Sequence, residues 1–400
     1  MKYTCKYFGK CGGCQTPNLT YEEQLSMKMR KMISVMGSRC HVDEIVRMED
    51  PTHYRTKVQA AFTRVGESMQ CGIYQSQTGR IIPAKTCLLE DEDALKIRRA
   101  VEKLARSFNL TVYSPKTGRG LLRHVMVRVS RATGQAMVAL VTGKSPFTKA
   151  KAFTDALLEE CPEVVTVVQC VNDTDIPLWM GDKQTVLCGP GVLEERIGGA
   201  RFFVSPKAFL QVNPVQTEKL YALALEGAAL TGKETVLDAY CGVGTLSILA
   251  AKNAAHVTGV EIVEDAVADA ERNAALNGIR NADFIAAYAA DYMEALTRQR
   301  KRPDVVLLDP PRAGCEKKFL TSLVRLAPER VVYVSCNPDT LGRDVMTLCK
   351  GGYKVERCTP VDMFPFTTHV ESVVCLSREK ADDHVRISIH TKDLKASQEQ

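Results

Sequence analysis

The spacing of apolar residues predicts an initial helix, followed mainly by short strands, in the first half of the chain. Residues 20–23 (Thr-Tyr-Glu-Glu) form a capping box, and the apolar residues that follow recur at helical spacing until Gly37 ends the helix. From about residue 45, short alternating runs replace this pattern. The elements predicted here are a helix near 19–36, strands within 54–62, 71–74 and 122–129, a helix near 147–160, and strands near 164–204.

The second half alternates buried-strand runs with helical patterns, which is typical of an α/β sheet covered by helices. Strands are predicted within 235–238, 256–260, 304–308, 331–335 and 371–376. A helix near 263–277 ends at Asn277-Gly278, so Asn273 and Asn277 are interpreted as structural. We therefore expect a mainly β first domain (1–208), an α/β second domain (209–378) and a polar tail (379–400).

Composition places the chain among cytoplasmic globular proteins. Of the 400 residues, 45% are hydrophobic and 25% are charged. We find neither a run of about 18 apolar residues, as a membrane helix requires, nor the apolar core of a signal peptide. In a reducing compartment, 15 cysteines indicate metal binding or catalysis rather than disulfides.

Positive charge is concentrated at the start of the chain. The net charge is +6, yet residues 1–130 alone hold 22 Lys and Arg against 12 Asp and Glu. A nucleic acid is the expected partner of such a region, although an ordinary solvated face fits the same pattern. The basic residues on the predicted strands are the expected RNA contacts: Arg55, Lys57, Arg123, His124 and Arg128.

Three cysteines near the start form a ligand loop. Cys5, Cys11 and Cys14 fall within ten residues, and glycines between the last two allow a tight turn. A metal site needs a fourth ligand, for which the candidates are Cys40, Cys71 and Cys87. Cys87 follows a Pro-marked turn, which is a plausible place for a ligand. Spacing alone leaves zinc and an iron–sulfur cluster both open.

A thiol ends one of the buried strands of the second half. The run from Val331 stops at Cys336, and Pro338 prevents the strand from continuing. Ligands of open α/β sheets bind at the carboxyl ends of the strands, so Cys336 is a candidate nucleophile. The alternative is a buried core cysteine, which is a common structural residue.

A glycine turn and an acidic strand end predict a cofactor site. Strand 235–238 runs into Gly242 and Gly244, where the backbone can approach a ligand closely. Glu261 ends the next strand and is placed to accept hydrogen bonds from ribose hydroxyls. The same pattern suits NAD, and Cys241 inside the turn is interpreted as a packed thiol.

Two carboxylates complete the candidate chemistry. Asp309, in the sequence Asp-Pro-Pro-Arg312, follows one strand, and Glu371 begins the last strand. With Cys336 they suit covalent pyrimidine chemistry, in which a thiolate adds to carbon 6 of uracil and makes carbon 5 nucleophilic toward a methyl sulfonium. A carboxylate must then remove the proton from carbon 5.

These motifs together resemble those of the uracil-5 RNA methyltransferases that use S-adenosylmethionine. In particular, they are similar to the bacterial ribosomal enzymes that carry a 4Fe-4S cluster. The motifs are Cys5-x5-Cys-x2-Cys14 with Cys87, Phe209-Leu-Gln211-Val-Asn213, Asp238-Ala-Tyr-Cys-Gly-Val-Gly-Thr245, Asp309-Pro-Pro-Arg312, Ser335-Cys-Asn-Pro338 and His369-Val-Glu371.

The resemblance implies a Rossmann-like methyltransferase domain with a mainly β iron–sulfur and RNA-binding domain. It implies that Cys336 is the nucleophile and Glu371 the proton acceptor, and that the helix near 19–36 packs with the catalytic domain. The implied contacts to the methyl donor are Gln211, Tyr240, Glu261 and Asp309. The implied ligands of the 4Fe-4S cluster are Cys5, Cys11, Cys14 and Cys87.

One departure from the family pattern affects the expected substrate. Many ribosomal members begin with a small β-barrel RNA-binding domain, for which no room exists before Cys5. The transfer-RNA members also lack this domain, but they lack the cysteine cluster too, which favours 23S ribosomal RNA.

We expect a monomer without an obligate protein partner. The alternatives are a tRNA uracil-5 methyltransferase, a non-enzymatic metal-containing RNA-binding protein and an NAD oxidoreductase.

Overall fold

The computed structural model describes residues 3–66, 68–75, 78–174, 180–181 and 183–378. The predicted polar tail (379–400) lies outside the described residues. Of the helices within them, none is both long and apolar enough to cross a membrane.

The first half builds a seven-stranded sheet. Its elements are α1 (Tyr21–Met36), β1 (Lys57–Val65), β2 (Ser68–Tyr74), β3 (Ile81–Ile82), α2 (Glu92–Ser107), β4 (Leu122–Ser130), β5 (Gln135–Thr142), α3 (Ala150–Glu160), β6 (Val164–Val171), β7 (Lys183–Cys188), β8 (Leu193–Ile197) and β9 (Ala200–Val204). The strand order is β3-β2-β1-β4-β5-β6-β7, and only β5 and β6 run parallel. Helices α2 and α3 share an apolar core with this sheet.

Helix α2 lies in the stretch for which only strands were predicted. The carboxylate of Asp91 accepts a hydrogen bond from the Asp93 N–H (3.0 Å) and so caps the helix. The buried apolar residues of α2 recur at helical spacing: Ala94, Ile97, Val101 and Leu104. The strand interpretation was wrong here because it passed over this spacing.

The second half builds another seven-stranded sheet with helices on both faces. Its elements are α4 (Pro214–Ala228), β10 (Thr235–Ala239), α5 (Thr245–Ala251), β11 (His256–Glu261), α6 (Glu264–Leu276), β12 (Ala282–Ala286), α7 (Ala289–Gln299), β13 (Val305–Leu308), α8 (Lys317–Leu326), β14 (Arg330–Ser335), α9 (Pro338–Lys350), β15 (Tyr353–Val361) and β16 (Glu371–Arg378). The order is β12-β11-β10-β13-β14-β16-β15. The first five strands are parallel, and β16 runs antiparallel to both neighbours. The Rossmann-like α/β fold class is therefore confirmed.

This topology determines where a ligand can bind. From β10 the chain builds outward to β11 and β12, then returns to place β13 on the other side of β10. Such a reversal leaves a crevice outside the carboxyl ends of the central strands.

Helix α1 packs against the second sheet although it precedes the first. Met32 and Met36 are fully buried in the core that also contains Leu341 and Val345 of α9. The domain boundaries near residues 208 and 378 stay predictions.

Strands β1 and β4 do not present the open basic face that their alternation suggested. Lys57 pairs with Arg128 across the two strands, and Arg128 is only 4% exposed. The Arg128 guanidinium donates to the carbonyl oxygen of Ala208 (2.7 Å), and burial lowers its pKa to about 10. The prediction that Arg128 contacts RNA is wrong, because alternation shows which residues share a face but not whether another segment covers that face.

Two other predicted RNA contacts are engaged within the first domain. Arg123 donates to the carbonyl oxygen of Asn172 (2.7 Å) and lies over the ring of Tyr113. His124 hydrogen-bonds the hydroxyl of Tyr74 (2.9 Å), and burial together with Arg123 lowers the pKa of His124 to about 4. His124 is therefore neutral at pH 7 and offers a phosphate no charge.

Candidate active site

A cavity of about 710 Å³ opens at the carboxyl ends of β10, β11, β13 and β14. It occupies the crevice that the strand order leaves. All six residues to which the resemblance assigned donor binding or chemistry line it: Gln211, Tyr240, Glu261, Asp309, Cys336 and Glu371. The structure thus brings them together, while their individual roles stay predictions.

The glycine turn after β10 is closely packed. Gly244 has a φ of +79°, and a Cβ placed there would lie 3.0 Å from both the Ala270 Cβ and the Phe284 ring. Side chains are therefore disfavoured at this position by conformation and by space. The turn brings backbone to the cavity wall, as the sequence predicted.

Glu261 joins the end of β11 to that turn. One carboxylate oxygen accepts from the Gly242 N–H (3.1 Å), and the other accepts from the N–H groups of Ile262 (2.8 Å) and Val263 (3.0 Å). A carboxylate has about four acceptor positions, so this one can still accept from a ligand hydroxyl.

The antiparallel pairing of β14 and β16 brings Cys336 and Glu371 to one edge of the sheet. Ser335 at the end of β14 lies opposite Ser372 at the beginning of β16. Their neighbours Cys336 and Glu371 consequently line the same cavity, together with Asp309 after β13. The thiol and two carboxyl groups needed for the predicted chemistry therefore share one chamber.

Burial makes all three groups retain protons. It raises the pKa of Glu371 to about 8 and that of Asp309 to about 7. Burial, followed by the charges of Glu371 and Asp309, raises the pKa of Cys336 to about 11, and Arg312 opposes this increase. At pH 7 the free site thus holds a thiol and a largely protonated Glu371. A cation bound among them would favour the thiolate and carboxylate forms.

Arg312 is held next to the thiol by the strand end itself. The side-chain amide of Asn337 donates to the Arg312 carbonyl oxygen (3.0 Å) and, through its oxygen, caps α9. The Arg312 guanidinium lies 3.0 Å from Nε2 of His369. The Asp-Pro-Pro-Arg loop and the cysteine strand end therefore form one connected unit.

Four aromatic residues that line the cavity were given no individual role from the sequence: Phe209, Tyr221, Tyr288 and Phe364. Phe209 and Tyr288 are 68% and 60% exposed. Tyr288 follows the carboxyl end of β12, a strand that was not predicted, so the rule that identified Asp309 did not reach it. Phe364 lies in an irregular loop, and no local pattern marks its position.

A groove connects this cavity with the cysteine loop. It has a volume of about 390 Å³ and shares Arg312 and Phe364 with the cavity. Arg55, Tyr74 and His369 also line it. Of the basic residues predicted to contact RNA, Arg55 thus remains near the candidate chemistry.

The four cysteines of the predicted cluster line a separate cavity of about 170 Å³. Burial and the nearby thiols of Cys87, Cys11 and Cys5 raise the pKa of Cys14 to about 12. Across the described ranges, however, no three His, Cys, Asp or Glu side chains stand at metal-binding geometry. The residue types and shared cavity fit a soft metal centre, whereas the side-chain placement is that of separate thiols.

The other two candidate ligands lie elsewhere. Cys71 is buried in the core of the first sheet, and the Cys40 thiol hydrogen-bonds Cys358. Of the fourth-ligand candidates, the structure therefore places Cys87 with the N-terminal cysteines.

Comparisons with known proteins agree with this geometry. Residues 196–379 match the family model described as tRNA (Uracil-5-)-methyltransferase. An uncharacterised RNA methyltransferase of Clostridium acetobutylicum is 39% identical over 94% of this chain and 83% of its own length. One from Halalkalibacterium halodurans is 41% identical over 93% of this chain and 82% of its own length.

A solved structure also resembles the fold over most of its extent. The tRNA (uracil-54, C5)-methyltransferase of Pyrococcus abyssi, in complex with S-adenosyl-L-homocysteine, superposes with a TM-score of 0.75 at 26% identity. The match covers 92% of this chain and 86% of that protein.

Proposed function

Because this chain belongs to the S-adenosylmethionine-dependent RNA uracil-5 methyltransferase family, we propose that it methylates carbon 5 of a specific uridine in 23S ribosomal RNA. The observation that carries the proposed mechanism is the shared chamber of Cys336, Asp309 and Glu371. Family membership makes the NAD oxidoreductase interpretation of the glycine turn wrong.

In the proposed reaction, Cys336 acts as the nucleophile. Its thiolate forms a bond to carbon 6 of the uracil, and the electrons of the ring double bond move to make carbon 5 an enolate carbon. The donor supplies an electrophilic methyl group, which carbon 5 takes as S-adenosylhomocysteine leaves. Reaching the target requires the uridine to leave the RNA stack.

Glu371 completes the reaction as the base. Its carboxylate takes the proton from carbon 5, the ring double bond forms again, and the bond between carbon 6 and Sγ breaks to return the thiolate. The positive sulfonium of the donor, bound beside these groups, favours the charged forms that the free site disfavours. Burial of Glu371 also makes its carboxylate a stronger base than an exposed one.

Residues of the glycine turn and its neighbours would hold the donor. Gln211, Tyr240 and Glu261 line the cavity on the β10 and β11 side, and Asp309 lies between them and the thiol. Glu261 retains acceptor capacity for ribose hydroxyls, which supports its assignment. The groove lined by Arg55 and Arg312 would receive RNA phosphates.

The cysteine cavity supports a 4Fe-4S centre held by Cys5, Cys11, Cys14 and Cys87. We expect anaerobically purified protein to be brown, with about four iron and four sulfide per chain. A Cys14→Ser variant should lose this colour, because serine replaces a soft thiolate ligand, while Cys188→Ser, a half-buried cysteine in β7, should keep it. Iron, sulfide and zinc analysis measures the outcome. A colourless protein containing zinc would contradict the cluster.

Two RNA substrates remain to be distinguished, 23S ribosomal RNA and tRNA. The cysteine cavity supports the ribosomal assignment through the family resemblance, whereas the matching family model and the P. abyssi protein carry tRNA names. That structure covers 92% of this chain, so overall shape does not discriminate. A tRNA uracil-5 methyltransferase is therefore the second candidate.

We expect a strain lacking this protein to lose 5-methyluridine from 23S RNA and to retain it in tRNA. Mass-spectrometric mapping of both RNAs, with the gene restored as control, measures this. Loss of the modification from tRNA alone would establish the second candidate instead.

A further inference from the structure

We infer that residues within the first 54 positions of the chain, in α1 and on either side of it, position Glu371 by holding the loop formed by residues 362–370, an inference that rests on the proposed function. This loop connects β15 with β16 and leads directly into Glu371. Gln24 and Tyr54 hold it without lining the 710 Å³ cavity. They are therefore positioning residues rather than catalytic ones.

The loop adopts a backbone conformation that needs external support. Phe366 has a φ of +65°, a left-handed value that a bulky residue rarely adopts. Such conformations persist where the surroundings determine them. The side chain of Phe366 is fully buried, so the neighbouring segments can supply this support.

Residues from the first 54 positions bind the turn around Phe366. The side-chain oxygen of Gln24 accepts from the Phe366 N–H (2.7 Å), and the Tyr54 hydroxyl donates to the Pro365 carbonyl oxygen (3.1 Å). The backbone N–H groups of Gln15 and Thr16 both donate to the Phe366 carbonyl oxygen (3.0 Å each). The turn is thus held on both its N–H and its carbonyl sides.

The beginning of the loop is held by a buried charge network. The ammonium group of Lys28 donates to Asp362 (2.5 Å) and to the carbonyl oxygen of Phe364 (2.9 Å). The Tyr21 hydroxyl donates to the other carboxylate oxygen of Asp362 (2.8 Å). Lys28 and Asp362 have no exposed side-chain surface, so neither charge can leave its partner without a large desolvation cost.

The same N-terminal segment carries three of the proposed cluster ligands. Cys14 immediately precedes Gln15, and Tyr3, two residues before Cys5, packs edge-to-face on Phe366 with ring centroids 4.8 Å apart. Ligands bound to one centre would restrict this segment and thereby its contacts with the loop. A cluster held by these cysteines would thus help to place the base through the segment's contacts with the loop.

The inference predicts an effect on one step of the reaction. Cys336 directly follows β14 and precedes the cap of α9, whereas Glu371 directly follows the loop. Addition and methyl transfer should therefore proceed when a loop contact is removed, whereas removal of the carbon 5 proton should slow. The methylated covalent protein–RNA adduct would then accumulate.

Tyr54→Phe tests this step selectivity, with Tyr353→Phe as the matched control. Both substitutions delete a buried tyrosine hydroxyl that donates to a proline carbonyl oxygen, but the Tyr353 bond to Pro328 lies at the opposite end of the sheet. We expect Tyr54→Phe to slow adduct release about threefold to tenfold, the range for one hydrogen bond, and Tyr353→Phe to leave it unchanged. Tyr21→Phe is a second variant with the same expected result.

Two RNAs distinguish the steps on a denaturing gel. With unmodified RNA, the amount of covalent protein–RNA adduct rises when release of the methylated RNA slows. With RNA containing 5-fluorouridine, the fluorine cannot be removed as a proton, so the rate of adduct formation reports addition and methyl transfer alone. Tyr54→Phe should match wild type on the fluorinated RNA and accumulate adduct on the unmodified one.

Two results would overturn the inference. Equal slowing on both RNAs, or equal effects of Tyr54→Phe and Tyr353→Phe, would show that the loop contacts serve only stability. A wild-type protein that forms no adduct with fluorinated RNA would instead overturn the proposed function, and this inference with it. The wild-type lane therefore separates the two failures.

Discussion

A Cys336→Ala variant is expected to transfer methyl groups to RNA about 10⁴-fold more slowly or worse, because the substitution removes the covalent nucleophile. Without the thiolate, carbon 5 of uracil never becomes an enolate carbon and cannot attack the methyl group. The variant should still bind S-adenosylmethionine, because the predicted donor contacts of β10 and β11 are unchanged. Transfer of labelled methyl groups and calorimetric donor binding measure the two properties.

Cys241→Ala is the matched control for this loss. Cys241 is another thiol that lines the cavity, but it is buried in the glycine turn. Its replacement should retain most activity. Full methyl transfer by Cys336→Ala would show that the covalent mechanism is wrong.

A Glu371→Gln variant is expected to methylate RNA and fail to release it. Loss of a general base reduces turnover by about 10²- to 10⁴-fold, and here the block falls after methyl transfer. Glutamine keeps the size of the side chain but cannot accept the carbon 5 proton. The covalent adduct should therefore accumulate to nearly one per protein, measured on a denaturing gel.

Glu316→Gln is the control for this variant, since it removes a different carboxylate that also lines the cavity. It should show normal turnover. A Glu371→Gln protein that turned over normally, or formed no adduct while still binding RNA, would remove Glu371 from the mechanism.

The raised pKa of Glu371 gives the same variant a stability signature. The pKa of Glu371 in the folded protein is about 8, whereas its ordinary value is 4.5. The stabilisation that the protonated carboxyl group contributes is therefore fully present below pH 4.5 and is lost as the pH rises through 8. Glutamine stays neutral throughout. Glu371→Gln should consequently be more stable than wild type at pH 9, by up to about 5 kcal/mol at about 1.4 kcal/mol per pKa unit, and similar to it at pH 4.5.

The positions of the candidate chemistry could be predicted because they follow strand ends. Cys336 and Asp309 each end an apolar run, and parallel strands deliver such residues to one edge of a sheet. Placing Glu371 there required knowing that the last strand runs antiparallel to β14. The sequence placed Glu371 only at the beginning of the last strand, and the structure shows the pairing direction that brings it to the same edge.

The burial of a side chain by a distant segment of the chain could not be predicted from the sequence. The alternation of β4 marks Arg128 as sharing a face with other basic residues, but only the tertiary structure shows that the Ala208 segment covers it. The same reason applies to Cys336, whose surroundings disfavour the thiolate until a cation arrives. Burial is a property of the assembled molecule, so neither effect appears in a local pattern.

The support of the 362–370 loop was equally hidden from the sequence. Gln24 and Tyr54 look like ordinary members of a helix and a strand run. Their hydrogen bonds join residues more than 300 positions apart. The spacing of apolar and polar residues along the chain carries no information about contacts between residues so far apart.

The packing of α1 on α9 also determines the order in which the molecule can be completed. During synthesis, α1 is made early, but Leu341 and Val345, against which Met32 and Met36 pack, are made some 300 residues later. The apolar face of α1 must therefore remain uncovered, or be shielded by a chaperone, while most of the chain is translated. Closing so distant a contact is slow. The sheet edge that holds Glu371 is thus among the last parts of the protein to assemble.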